Sequence, residues 1–290
     1  MQLSKRLRAV ADLVPDGAVL ADVGTDHAYI PIALVEEGKI PQALAMDINQ
    51  GPLMRAEENI QSHGLKEKIE TRLSDGLEKM KKGEADTVLI AGMGGLLTVR
   101  ILSARKGVLE NCSTLVLQPQ SDLPSVRGWL AKEGYAITAE DLVLEDGKYY
   151  PMMRAQKYRK PSETENPCLE VPENSTEENT VEQSRGAGDA ENQKQQLKNV
   201  DCVFFENKAD GEKEEQELRY GPVLLENKHP LLAGYLDREE TLYRNVLVSL
   251  EGKDTKGAVA RRAEVEHELY LIAEARARLY ENASNGEKEN

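Results

Sequence analysis

The chain has 290 residues, 30% of them charged, with a formal net charge of -14 and an isoelectric point near 5.0. That length holds one large domain or two modest ones with a sizeable core. No apolar run reaches the ~18 residues of a membrane span, and Cys112, Cys168 and Cys202 form no C-x-x-C pair, which argues against a disulfide framework or a zinc site.

The first residues lack a secretory signal, so the reading is a cytoplasmic protein without a membrane partner. The acidity is uneven. Residues 1–158 carry a net -3 and residues 159–217 a net -9, so the whole-chain charge is a poor guide to the rest and does not exclude nucleic acid.

In chain order, an opening helix places Leu3, Leu7, Val10 and Val14 on one face. Lys5 and Arg8 lie roughly opposite and Arg6 lies on the flank. Five strands follow, at "AVLADVG", "QALAMDI", "IETRLS", "DTVLIAG" and "TLVLQP", with helical stretches between them, the pattern of a parallel α/β sheet. "ITAEDLVLEDGKYYPMMRAQKY" reads as an antiparallel hairpin turning at "EDGK". Residues 159–217 are too polar to offset their ordering entropy and read as an acidic, disordered insertion, with one apolar island at 200–206. Residues 218–283 read as a coiled-coil-like helical hairpin. Leu232, Tyr235, Leu236, Leu242, Val246 and Leu250 are assigned to one helix face, and Val265, Leu269, Ile272 and Leu279 to the other.

Ligands of a parallel sheet bind beyond the carboxyl ends of its strands. After the first strand stands Asp22-Val-Gly24-Thr25-Asp26-His27. An aspartate there repels the pyrophosphate that a G-x-G-x-x-G loop would cradle, and suits a ligand with an ammonium and a sulfonium. S-adenosylmethionine is such a ligand. Asp47, with Ile48 beside it, ends the second strand and suits ribose hydroxyls; Asp75 and Gly76 follow the third and suit the adenine amino group. Gly92 and Met93 belong to the small-residue turn "AGMGG" after the fourth. Thr25 and His27, at the first turn, complete the candidate cofactor contacts.

"ADVGTDHAYIPIAL", "AMDIN", "AGMGG", "LVLQPQ" and "EDGKYYPMM", in this order, resemble the bacterial tRNA (adenine(22)-N(1))-methyltransferase family. The resemblance covers residues 1–158 and resumes at "LRYGPVLLENKHPLLAGYL". It implies a Rossmann-like class I methyltransferase sheet with a C-terminal coiled-coil domain, S-adenosylmethionine as cofactor and tRNA as substrate. Adenine N1 is a lone-pair nucleophile, so alignment and a hydrogen-bond acceptor for the amino group suffice. Asp26, with Gln118 or Gln120, is the expected support for the target base. Lys5, Arg6 and Arg8 are expected to meet tRNA phosphates. The competing readings are a methyltransferase for another RNA or a small molecule, and a non-catalytic tRNA-binding protein. Nothing in the sequence fixes the oligomeric state.

Overall fold

The computed structural model describes residues 1–158 and 211–280. The expected insertion, with its island at 200–206, lies outside them except for residues 211–217, which open a helix.

Seven strands form one sheet: β1 (Val19–Val23), β2 (Gln42–Asp47), β3 (Ile69–Leu73), β4 (Thr87–Ala91), β5 (Thr114–Gln118), β6 (Tyr135–Glu145) and β7 (Lys148–Lys157). Their order is β3-β2-β1-β4-β5-β7-β6. The first five run parallel, and β7 is antiparallel to both β5 and β6. The expected Rossmann-like sheet closed by a hairpin is therefore observed. Asp146 and Gly147 both take positive φ, 48° and 70°, at the hairpin turn. That matches a two-residue turn whose twist suits the strands.

β1, β2, β4 and β5 are nearly continuously apolar because both of their faces are covered. Ala21, Val23, Val88, Ile90, Leu115 and Leu117 enter one core layer, against α4 (Gly95–Ala104), α5 (Lys106–Leu109) and α6 (Leu123–Lys132). Leu20, Leu89 and Val116 alternate with them into the other. There they meet α1 (Lys5–Asp12), α2 (Tyr29–Glu36) and α3 (Gln50–Ser62). Residues Ile30 to Val35 of α2 are all buried, so this helix has no polar face.

Four helices follow: α7 (Gly211–Tyr220), α8 (Pro222–Glu226), α9 (Leu232–Ser249) and α10 (Lys256–Tyr280). The described residues from Met1 to Lys157 and from Gly211 onward fall in one compact unit. Leu232, Leu236, Leu271, Ile272 and Ala275 build a third core with Leu142 of the sheet hairpin, and Tyr149 packs against it. The expected hairpin of two long helices is present, with one correction. Leu242 is 51% exposed, and Tyr243 takes the inward place. Six residues after Leu236 amount to about 240° of helical rotation, off the buried stripe.

The helices are joined to the sheet by a buried ion pair. Arg127 of α6 and Glu140 of β6 meet at 2.8 Å with side chains 1% and 0% exposed. Arg127 Nη1 also donates to the carbonyls of Leu218 and Arg219 at the end of α7, at 2.8 and 3.0 Å. Glu140 Oε2 accepts from the amides of Val223 and Leu224 at the start of α8, at 3.0 and 3.3 Å. Gly221 has no Cβ to obstruct this; one would lie 2.4 Å from Glu140 Oε2. His229 pairs with Asp141 at 2.9 Å across the same junction.

Arg127→Met leaves a carboxylate buried without its cation, and two carbonyls without their donor. Urea denaturation should register a loss of about 3–5 kcal/mol, and limited proteolysis should produce cuts near residues 218–224 that wild type does not show. A loss below about 1 kcal/mol would show that water replaces the guanidinium.

Candidate active site

The strand order reverses between β1 and β4, so the crevice beyond their carboxyl ends is the place where such folds bind ligands. A cavity of about 490 Å³ opens there. Parallel pairing of β1, β2 and β3 brings residues that are distant in sequence to one edge. Asp22 and Asp26 come from the first turn, Asp47 and Ile48 from the second, and Asp75 and Gly76 from the third. Gly24, Gly92, Met93, Gln120 and Arg6 also line it.

The turns are tied to neighbouring strands. The amides of Gly24 and Thr25 donate to the Met46 carbonyl at 2.8 and 2.9 Å, and that of Ser74 to the Asp47 carbonyl at 2.8 Å. Asp47 Oδ1 accepts from the Asn49 amide at 2.7 Å, which orients the carboxylate at the rim. Gly24 has φ +76°, and a Cβ there would lie against the Met93 methyl, so the turn needs glycine for both conformation and space. His27 and Ala28 also take positive φ, 59° and 55°. Left-handed non-glycine residues are strained; here Asn59 Nδ2 holds the His27 carbonyl at 3.0 Å.

Asp22 is the most perturbed group in the cavity. Burial pushes its carboxyl up to about 7, and the charges of Asp47 and Asp26 add to the rise, while the Thr25 hydroxyl, 2.6 Å away, opposes it. A cavity with four carboxylates, one of them poised near neutrality, favours a cationic ligand.

Several expected site residues stand behind the cavity wall instead of in it. Thr25 is buried and bonds Asp22. His27 stacks on Tyr29 with ring centroids 5.1 Å apart. Gln118 is fully buried, and its Oε1 accepts from Arg6 Nη1 at 2.9 Å.

The three cations of α1 do not share a surface. Arg8 forms a two-pronged bond with Glu37 at 2.6 and 2.9 Å, Lys5 donates to the Leu144 carbonyl, and only Arg6 reaches the cavity. Packing of α1 against α2 and the hairpin brings acceptors to these cations, which helical periodicity cannot foresee. The sequence reading missed Tyr29, Asn49, Ser74, Leu97, Arg100 and Ile101 in the lining. Tyr29 lies within "ADVGTDHAYIPIAL" and Asn49 ends "AMDIN"; Leu97, Arg100 and Ile101 lie on α4 and carry no local signal.

The fourth and fifth turns interlock. The Gly92 amide donates to the Gln118 carbonyl at 3.0 Å, and the Gln120 amide to the Met93 carbonyl at 2.8 Å. A Cβ on Gly95 would sit 2.3 Å from the Ser121 carbonyl oxygen, so the glycines of "AGMGG" serve backbone-to-backbone packing as well as access to the cavity.

The raised Asp22 acidity has a sign that can be measured. Between about pH 4 and 7 the folded state holds a proton that the unfolded chain has released, so this group's contribution to stability falls as pH rises and levels off above 7. Asp22→Asn should remove that penalty. The variant should gain about 2–4 kcal/mol over wild type at pH 8 and little at pH 4, as read by urea denaturation. An equal difference at both pH values would mean that Asp22 titrates normally.

The methyltransferase domain family model matches residues 3–153. The Bacillus subtilis protein "tRNA (adenine(22)-N(1))-methyltransferase" is 46% identical over 156 residues, spanning 54% of this chain and 66% of that relative. The crystal structure of the B. subtilis m1A22 tRNA methyltransferase superposes with a TM-score of 0.71 at 29% identity, covering 94% of this chain and 98% of that one. A putative tRNA (m1A22) methyltransferase of Streptococcus pneumoniae, solved with S-adenosyl-L-methionine, superposes with a TM-score of 0.69 at 29% identity, over 94% and 99% of the two chains. With half of its length matched by the family model and the strand-end cavity in place, the chain belongs to the methyltransferase domain family.

Proposed function

We propose that this protein transfers a methyl group from S-adenosylmethionine to N1 of adenine 22 in tRNA. The observation that carries the reading is the cavity lined by Asp22, Asp26, Asp47 and Asp75 at the switch point of the sheet. Four carboxylates beside a single-glycine turn suit a cationic, phosphate-free cofactor and oppose a dinucleotide. The m1A22 tRNA methyltransferase of B. subtilis, whose structure is similar to 94% of this chain, supports the same substrate.

The residues divide by position. Asp47 would accept from the ribose hydroxyls, with Ile48 against the adenine ring and Asp75 taking its amino group. Asp22 and Asp26 would face the cationic end. When bound, S-adenosylmethionine supplies an electrophilic methyl group on a sulfonium. The target adenine brings its own N1 lone pair, so the protein needs no base to begin. Methylation leaves the adenine positively charged, and carboxylates fixed in advance stabilise that charge as it develops. Residues 1–158 form the catalytic part, and the helices after residue 218 an accessory part. A tRNA substrate places the enzyme in the cytoplasm, and among the described residues no helix is long and apolar enough to cross a membrane.

The test is methyl transfer to an unmodified tRNA transcript, followed by nucleoside analysis. The expected product is 1-methyladenosine, abolished when adenine 22 is replaced by guanine. No product would remove the reading.

Asp47→Ala should weaken S-adenosylmethionine binding by about 1.5–3 kcal/mol, the scale of hydrogen bonds to a charged acceptor. Calorimetry on the folded variant checks this, and unchanged affinity would take Asp47 out of the site.

A further inference from the structure

Methylation at N1 constrains how the target base can be recognised. N1 must stay open to the methyl donor, so a neighbouring protein group that reads the exocyclic amine does so from the edge formed by N6 and N7. On that edge adenine offers one donor and one acceptor, which a glutamine amide matches with its carbonyl and its NH₂ together. Guanine offers two acceptors there and fits such an amide poorly.

Two glutamines flank Pro119, and the structure separates their duties. Gln118 is fully buried, and its Oε1 is already taken by Arg6 Nη1 at 2.9 Å. Gln120 lines the cavity and is exposed, and no hydrogen bond to its side chain is formed among the described residues. Its backbone is fixed, since its amide donates to the Met93 carbonyl at 2.8 Å. A methyl group built on Gly92 would stand 3.8 Å from both Gln120 Nε2 and Arg6 Nη1, so both side chains converge on the floor of the cavity. Arg6 is held in turn by the Tyr150 ring, 5.4 Å from its guanidinium carbon.

The geometry points to Gln120 as the residue that selects adenine by its N6/N7 edge, with Arg6 as a positioning residue that anchors the Gln118-Pro119-Gln120 turn. This assignment rests on the proposed methylation of adenine N1. It replaces the choice between Gln118 and Gln120 with a division of labour, and moves Arg6 from the tRNA phosphates to the interior.

An atom-level cycle tests it. Wild type and Gln120→Ala are compared on tRNA carrying adenosine or 7-deazaadenosine at the methylated position, the latter lacking the N7 acceptor. Either change alone should lower kcat/KM about tenfold or more, and the second change should add little to the first. Cofactor affinity and melting temperature should not move. Independent, multiplying losses, or no loss from either change, would overturn the role of Gln120.

For Arg6→Met, kcat should fall while tRNA affinity and its salt dependence hold, with partial recovery in Arg6→Lys. A flattened salt slope would make Arg6 a phosphate contact and overturn its positioning role. Wild-type turnover on ordinary tRNA tests the underlying methylation separately. Absence of 1-methyladenosine there would defeat that reading, whereas turnover without coupling would defeat the Gln120 role alone.

Discussion

The buried pairing of Arg127 with Glu140 is the interaction on which the arrangement of this molecule depends. An isolated charge in that position would cost several kcal/mol. Here both groups are partnered on several sides: the guanidinium meets the carboxylate and two carbonyls at the end of α7, and the carboxylate meets two amides at the start of α8. The pair thus joins a sheet strand, a sheet-covering helix and the C-terminal helices at one point. A hydrophobic contact in the same place would add stability without fixing direction. The ion pair fixes direction as well, because its partners are backbone groups that exist only when α7 ends and α8 begins where they do.

The catalytic cavity faces the opposite electrostatic problem. Its four aspartates are gathered at the strand ends, with Arg6 and Arg100 also in the lining, and Asp22 carries most of the consequence, since burial pushes its carboxyl up to about 7. Stability is given up locally so that a positively charged ligand is met by prepared acceptors. The strained pair His27 and Ala28 belongs to the same economy. Asp26 stands just before them, and its charge is one that a phosphate ligand would not tolerate.

Interlocking of the fourth and fifth turns explains why a small-residue motif and a Gln-Pro-Gln motif occur together in this chain. The Gly92 and Gln120 amides reach across to each other's segment, and Gly95 lets the backbones touch. Neither segment can shift without the other. The floor of the cavity is therefore rigid, which suits the proposed methylation of adenine N1, a reaction whose main demand is alignment because its nucleophile needs no activation.

The strand pattern, the hairpin turn at Asp146-Gly147 and the acidic residues after three successive strands were legible in the sequence, because each depends on residues within a few positions of one another. A short apolar run, a left-handed turn and a carboxylate at a strand end are local properties, and parallel pairing then carries the carboxylates to one edge. The inward place of Tyr243 over Leu242 was also within reach of helical arithmetic. Other features were settled only by tertiary packing. Gln118 and Gln120 are equivalent in sequence, yet one is buried against Arg6 and the other faces the cavity. Lys5, Arg6 and Arg8 sit within four residues and end with three unrelated acceptors, since those acceptors come from β5, α2 and the hairpin. Composition shows that such charges must find partners or water; which partner each one finds is set by distance in the folded chain, and Arg127 and Glu140 become an ion pair for that same reason.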